Sequence, residues 1–151
     1  MNRLGPQAIF CHLAMPEITD ILETSLYVDD LARAATFYES VFGFQRMFTD
    51  DRLCALSVLG RQVLLLFKQG ASTQPVKIPV GVMPPHDGRG QLHLAFSCAA
   101  EQLPQWEARL TAMQIAIESR IHWERGGTSI YFRDPDANLI ELATPGIWPI
   151  Y

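Results

Sequence analysis

Apolar positions along the chain fall into short runs of alternating period, interrupted twice by a longer run of helical period, and the two halves show this in the same order. Residues 21–28, Ile-Leu-Glu-Thr-Ser-Leu-Tyr-Val, are branched and aromatic and predict a strand. Asp29-Asp30 then opens 31–42, where Leu31, Ala34, Ala35, Tyr38 and Phe42 recur at helical spacing. Asp30 supplies an N-cap oxygen for the first free N–H groups, and Gly43 tolerates the left-handed conformation that stops a helix. Residues 44–48, 54–59 and 62–67 predict three more strands, with Asp50-Asp51 and Gly60-Arg61 as turns, so the unit is βαβββ.

The second half repeats it. Residues 91–98 predict a strand, and 101–113 a helix with Leu103, Trp106, Leu110 and Met113 on one stripe. Residues 115–119, 129–132 and 139–143 predict three strands. The fold class is α+β, a single domain over 21–151 built from modules 21–67 and 91–143, with an extension at 1–20 and a tail at 144–151. Residues 69–90 are rich in Gly and Pro and lack periodicity; so long a segment either joins modules or covers a site.

One position breaks the pattern. Asp134-Pro135-Asp136-Ala137-Asn138 has tight-turn chemistry, since proline presets φ while Asp and Asn bond nearby backbone or tolerate a left-handed conformation. In the returning strand Leu139, Glu141 and Ala143 share one face, and Ile140 and Leu142 the other. Both faces are otherwise apolar, which points Glu141 inward, where a carboxylate costs on the order of several kcal/mol unless paired or bound to a cation. Laying 21–26 on 91–96 makes Glu23 and His93 equivalent, and laying 62–66 on 138–142 makes Leu65 the counterpart of Glu141.

An imidazole and two carboxylates neutralise a divalent cation and leave coordination positions for substrate or water. Glu23, His93 and Glu141 are therefore the candidate metal ligands, and Glu23 or Glu141 is a candidate catalytic base when it leaves the metal. One divalent ion per site is expected, with Zn, Ni, Mn, Mg and Fe all compatible. Phe96, Trp123, Tyr131 and Trp148 are the candidate pocket aromatics, and His86, in Pro84-Pro85-His86-Asp87-Gly88-Arg89-Gly90, is a further candidate for substrate contact. Arg120 and Arg125 flank the central strands of the second module and offer charge to an anionic substrate, while Gly126-Gly127 allows a hairpin or a close approach to ligand. His12 and His122 have no supporting context.

Composition narrows the partners. A net charge of −4 without a Lys/Arg cluster argues against nucleic acid or an anionic membrane as partner. No apolar run approaches the roughly 18 residues of a spanning helix; the run at 8–15 is short, and Pro16-Glu17 follows it instead of a cleavage site. Cys11, Cys54 and Cys98 are odd in number and widely spaced, as expected of reduced thiols in a cytoplasmic protein.

Residues 23–44, with Asp29-Asp30-Leu31, Phe37-Tyr38 and Phe42-Gly43-Phe44, and residues 131–142, Tyr-Phe-Arg-Asp-Pro-Asp-Ala-Asn-Leu-Ile-Glu-Leu, resemble the vicinal oxygen chelate superfamily. That superfamily comprises glyoxalases, extradiol dioxygenases, fosfomycin-resistance transferases and bleomycin-binding proteins. The resemblance runs from residue 21 to 144. It implies paired βαβββ modules curled into a barrel-like mixed sheet around a metal, in a homodimer, with ligands at Glu23, His93 and Glu141. It also implies a metal-dependent enzyme (lyase, isomerase, thiol transferase or ring-cleaving oxygenase) acting on a small molecule that chelates through neighbouring oxygens. The alternative is a non-catalytic binding or resistance protein of the bleomycin-binding type. Two departures stand out: Glu23 lies where the dioxygenases and fosfomycin enzymes most often have His, and Leu65 removes the fourth ligand of the glyoxalase I pattern. The edges of the modules and the apolar tail at 147–151 also call for a second copy to cover them.

Overall fold

The structure, a computed structural model, describes residues 16–151. The apolar run at 8–15, Cys11, His12 and most of the terminal extension lie outside the described residues. The first module is β1 (Glu23–Val28), α1 (Leu31–Phe42), β2 (Gln45–Thr49), β3 (Leu53–Val58) and β4 (Gln62–Lys68). After β5 (Val76–Ile78) and β6 (Gly81–Met83) comes the second module: β7 (His93–Ser97), α2 (Leu103–Ala112), β8 (Ser119–His122), β9 (Thr128–Arg133) and β10 (Leu139–Ala143).

Local chemistry sets the helix ends. Asp30 is extended and its Oδ1 accepts from the Arg33 N–H at 3.0 Å, while Gly43, at φ 73°, donates to the Glu39 carbonyl. The α1 stripe of Ala34, Ala35, Tyr38 and Val41 is buried.

Both four-stranded sheets have one order, β1-β4-β3-β2 and β7-β10-β9-β8, and in each the first pair is parallel. The registers coincide as well. Glu23 pairs with Val63 and Ser25 with Leu65; His93 pairs with Leu139 and Ala95 with Glu141. Glu23 and His93, and likewise Leu65 and Glu141, therefore hold corresponding positions.

Within the chain these are two separate sheets and not a closed barrel, a correction to the curled single sheet expected. The helix-facing sides of both, including Leu26, Leu56, Leu66, Ile130, Phe132, Ile140 and Leu142, feed one apolar core. Burying each such side chain contributes about 1.5–3 kcal/mol. Phe42 joins the halves, with its ring 4.8 Å from Phe96 and 5.6 Å from Trp106.

Three element predictions need correction. The strand expected at 115–119 begins at Ser119, because Gln114 turns the chain at φ 58° and Ile115 and Ile117 pack against the core instead of joining the sheet. The segment at 69–90 is not free of regular structure. β5 and β6 pair antiparallel across Ile78 and Gly81, a hairpin too short and too interrupted by Pro and Gly to register as periodicity. The 310 turn Ala100–Gln102 leads into α2, which therefore starts later than expected.

At the second module's hairpin, Asp134 Oδ1 accepts from the backbone N–H groups of Asp136 and Asn138, and its Oδ2 from the Asn138 amide and the Tyr38 hydroxyl at 2.9 Å. The left-handed residue is Ala137, at φ 63°, and not an Asp or Asn. Through Tyr38 the hairpin of one module is fixed to the helix of the other.

Candidate functional site

Because Ile140 and Leu142 enter the core, strand alternation turns Glu141 to the face away from the helices. It is nevertheless only 5% exposed. Its neighbours across the ladder are Tyr131 on β9 and Ala95 on β7. The Tyr131 hydroxyl donates to Glu141 Oε1 at 3.0 Å, and His93 Nε2 lies 3.2 Å from Oε2. Burial, with the adjacent Glu141 carboxylate adding to it, holds the Tyr131 hydroxyl above its ordinary pKa, so it stands as a proton donor.

His93 Nδ1 is 3.0 Å from the Leu139 carbonyl oxygen, which only accepts, so Nδ1 carries the proton. In a neutral ring Nε2 then presents a lone pair to a carboxylate oxygen. Two electron-rich atoms at that distance repel unless a proton or a cation stands between them. A carbonyl-held Nδ1–H that aims Nε2 outward is also the usual outer-shell support of a metal-binding imidazole. The donor pair thus fits a divalent cation.

A cavity of about 280 Å³ opens over this pair, lined by His93, Trp123, Tyr131, Glu141, Ile147 and Trp148. Trp123 is fixed by its indole N–H to Ser129 Oγ at 2.8 Å. Of the aromatics expected here, Trp123, Tyr131 and Trp148 are present. Phe96 is not, a correction: it lies one position off the Ala95 face, packs on Phe42 and Phe44 and lines a different, apolar cavity.

His86 also lies elsewhere. Its Nδ1 meets the Tyr27 hydroxyl at 2.7 Å and its ring packs edge-on to Phe67 at 4.5 Å, on the first sheet. Arg120 is ion-paired with Glu107 of α2, and Arg125 does not line the cavity. Glu23 is exposed at the start of β1, and among the described residues no three His, Cys, Asp or Glu side chains gather closely enough in one chain to hold a metal. Sequence reasoning missed Ile147 as a wall of the site. Its signal was Gly127, where an added Cβ would lie 2.7 Å from Ile147 Cγ2.

Cys54 is buried and Cys98 half-buried, both unpaired, with thiols pushed up by burial, as small apolar residues. Among the described residues no helix is long and apolar enough to cross a membrane.

A family model described as "Glyoxalase/Bleomycin resistance protein/Dioxygenase superfamily" matches residues 20–142. The metallothiol transferase FosB of Bacillus licheniformis is 30% identical over 122 residues, covering 80% of this chain and 72% of that protein. The catechol-2,3-dioxygenase of Bacillus subtilis is 32% identical over 127 residues, 83% of this chain but only 41% of that longer protein. Among solved structures, a lactoylglutathione lyase from Agrobacterium tumefaciens superposes with a TM-score of 0.81 at 32% identity, covering 89% of this chain and 99% of that one.

Proposed function

Given that the chain belongs to the glyoxalase/bleomycin resistance protein/dioxygenase superfamily, we propose that it is a divalent-metal-dependent enzyme acting on a small molecule that offers two neighbouring oxygens to the metal. The observation that carries this is His93 Nε2 facing the buried Glu141 carboxylate at 3.2 Å inside an aromatic-walled cavity, with Nδ1 turned to the Leu139 carbonyl. His93 and Glu141 are two ligands. The third is Glu23 of a second copy, because Glu23 holds on β1 the position that His93 holds on β7 and yet is not brought to the site by its own chain. The protein is then a homodimer with shared sites, housed in the cytoplasm, where unpaired thiols persist.

Held by these residues, a divalent ion would supply polarisation of a chelated oxygen and stabilisation of the negative charge that develops there. The chain does the rest. The Leu139 carbonyl holds the His93 ring so that Nε2 points at the site, and Tyr131 orients Glu141 through Oε1, leaving Oε2 for the cation. When a substrate oxygen displaces Glu141 from Tyr131, the hydroxyl is in place to donate to it. Glu23 or Glu141 would be the carboxylate to take up a proton from the substrate. The names of the similar proteins, a metallothiol transferase, a dioxygenase and a lyase, support enzyme chemistry of this metal-centred kind and not one reaction among them.

The test is metal binding by calorimetry on chelator-treated protein, together with sedimentation. Parent protein should bind one divalent ion per chain as a dimer. Glu141→Gln should weaken binding about 100-fold or more, since even loss of outer-shell partners costs 10- to 100-fold. Glu23→Gln should weaken it without disturbing the fold. A parent that binds no divalent ion turns the assignment to the non-catalytic binder.

A further inference from the structure

The two modules treat one seat differently. In the second, the turn Asp134-Pro135-Asp136-Ala137-Asn138 joins β9 to β10 and fills the angle between the end of β1 and α1. There the Asp29 N–H donates to Asp136 Oδ1 at 2.8 Å and the Tyr38 hydroxyl to Asp134 Oδ2 at 2.9 Å. In the first, the turn Leu59-Gly60-Arg61 joins β3 to β4 and meets the end of β7 and α2. Being shorter, it leaves a cavity of about 300 Å³ in the matching angle.

This cavity is apolar where the one over Glu141 is polar. Phe42, Phe44, Phe96 and Trp106 wall it, and Gln62 and Ser97 are its polar side chains. Among the described residues no Lys, Arg, Asp or Glu lines it, so nothing there would offset a charge on a ligand. Phe96 pairs with Leu142, and both belong to the helix-facing side of the second sheet. The cavity therefore lies across β7 and β10 from the Glu141 face, to which a second copy would bring Glu23.

Leu59 marks the mouth. It sits at φ 56°, a left-handed conformation that strains a bulky residue and that Asn takes more readily, and its side chain is 84% exposed. Neither the turn nor the core makes use of that leucine, and strain kept in such a place points to a contact with something else.

We propose that the cavity is a second ligand site, taking an uncharged apolar molecule of about two or three rings, with Leu59 closing over it. Packing against Phe42, Phe96 and Trp106 supplies the affinity, and the Gln62 amide offers a hydrogen bond. The site needs no metal and stands apart from the function proposed above.

Fluorescence titration of the full chain with N-phenyl-1-naphthylamine, and with 1-anilinonaphthalene-8-sulfonate, which adds a sulfonate to the same rings, tests this. The uncharged probe should saturate at one site per chain and bind at least about tenfold more tightly than the sulfonate. Leu59→Asn should weaken it about fivefold while raising Tm, because the turn is relieved of strain. Val58→Phe, which fills the cavity from β3, should weaken it at least about tenfold with Tm kept. If that variant loses Tm, Leu59→Asn and the sulfonate comparison decide. Trp148→Ala and chelator should leave the probe unchanged, since it does not sit over His93 and Glu141. The proposal is overturned if the parent shows no saturable binding, if the sulfonate binds as well, or if Leu59→Asn leaves the probe unaffected. It is equally overturned if Trp148→Ala weakens the probe, or if Leu59→Asn turns a dimer into a monomer, which assigns Leu59 and the cavity to the contact between copies.

Discussion

Leu65 and Glu141 occupy one register position in two copies of one unit, and the faces around them have opposite fates. On the first sheet the segment after β4 folds back over the face. Gly88 lies on the Tyr27 ring, His86 bonds the Tyr27 hydroxyl, and Phe67 is only 6% exposed beneath them. On the second sheet the face opens as a cavity over Glu141, with His93 and Tyr131 as polar partners. A leucine needs no polar partner and tolerates part exposure: Leu65 is only half-buried, and the strap covers Tyr27 and Phe67 beside it. A carboxylate requires partners that return its lost hydration, and a seal of apolar chain gives none. The difference teaches that the backbone frame supplies two equivalent seats, and that the residue placed in each decides whether the seat must be ringed by polar partners.

Breaking the closed copy should have the largest effect on stability. An added Cβ at Gly88 would lie 2.3 Å from Tyr27 Cδ2, and that ring is held between Phe67 and His86. Gly88→Ala should cost about 2–3 kcal/mol, the upper range for overpacking, and speed proteolysis and amide exchange in 69–90 while leaving the Glu141 cavity intact. Unchanged exchange in that segment would show that the strap is not held by this contact.

The junction of the copies comes next. Tyr38→Phe removes a buried hydroxyl that donates to Asp134 and should cost about 1.5 kcal/mol, read from the denaturant midpoint. Burial, with Asp134 beside it, raises the Tyr38 pKa well above its ordinary 10.0. The folded chain thus binds this proton more tightly than the unfolded chain. The contribution is whole below pH 10 and is lost as pH rises beyond it, so parent stability should fall more steeply above pH 10 than that of Tyr38→Phe. Parallel pH profiles would refute this.

The smallest effect sharpens the comparison most directly. Glu141→Leu places in the second copy the residue that the first copy already has. Without metal it should stabilise the chain by about 1 kcal/mol, because a buried carboxylate is exchanged for an apolar side chain of similar size. Thermal unfolding in chelator checks the sign. A destabilised variant would mean that His93 and Tyr131 already compensate the carboxylate fully without a cation.

Much of this asymmetry was written in the sequence. Strand alternation alone turned Glu141 away from Ile140 and Leu142, and overlaying the two halves paired Glu23 with His93 and Leu65 with Glu141, as the ladders do. These are local facts of period and turn, carried by a few residues each. Phe96 was misplaced although the alternation of His93-Leu94-Ala95-Phe96-Ser97 sets it with Leu94, on the face opposite His93. His86 stood only as a candidate for substrate contact, because nothing local to Pro84-Pro85-His86-Asp87 encodes its partner Tyr27, which lies 59 positions away.

By itself, then, the sequence determined the repeated unit, its register and the inward carboxylate, since hydrogen-bonded ladders and side-chain alternation propagate from one residue to the next. Only the tertiary structure decided that the strap lies over Tyr27 and Phe67 on the first face, that Ile147 and Trp148 wall the second, and that Glu23 stays apart from His93 and Glu141 within one chain. Those outcomes depend on apolar surfaces that are interchangeable in sequence and become distinct when the chain closes on itself, because burial rewards area and fit and not the identity of the neighbour.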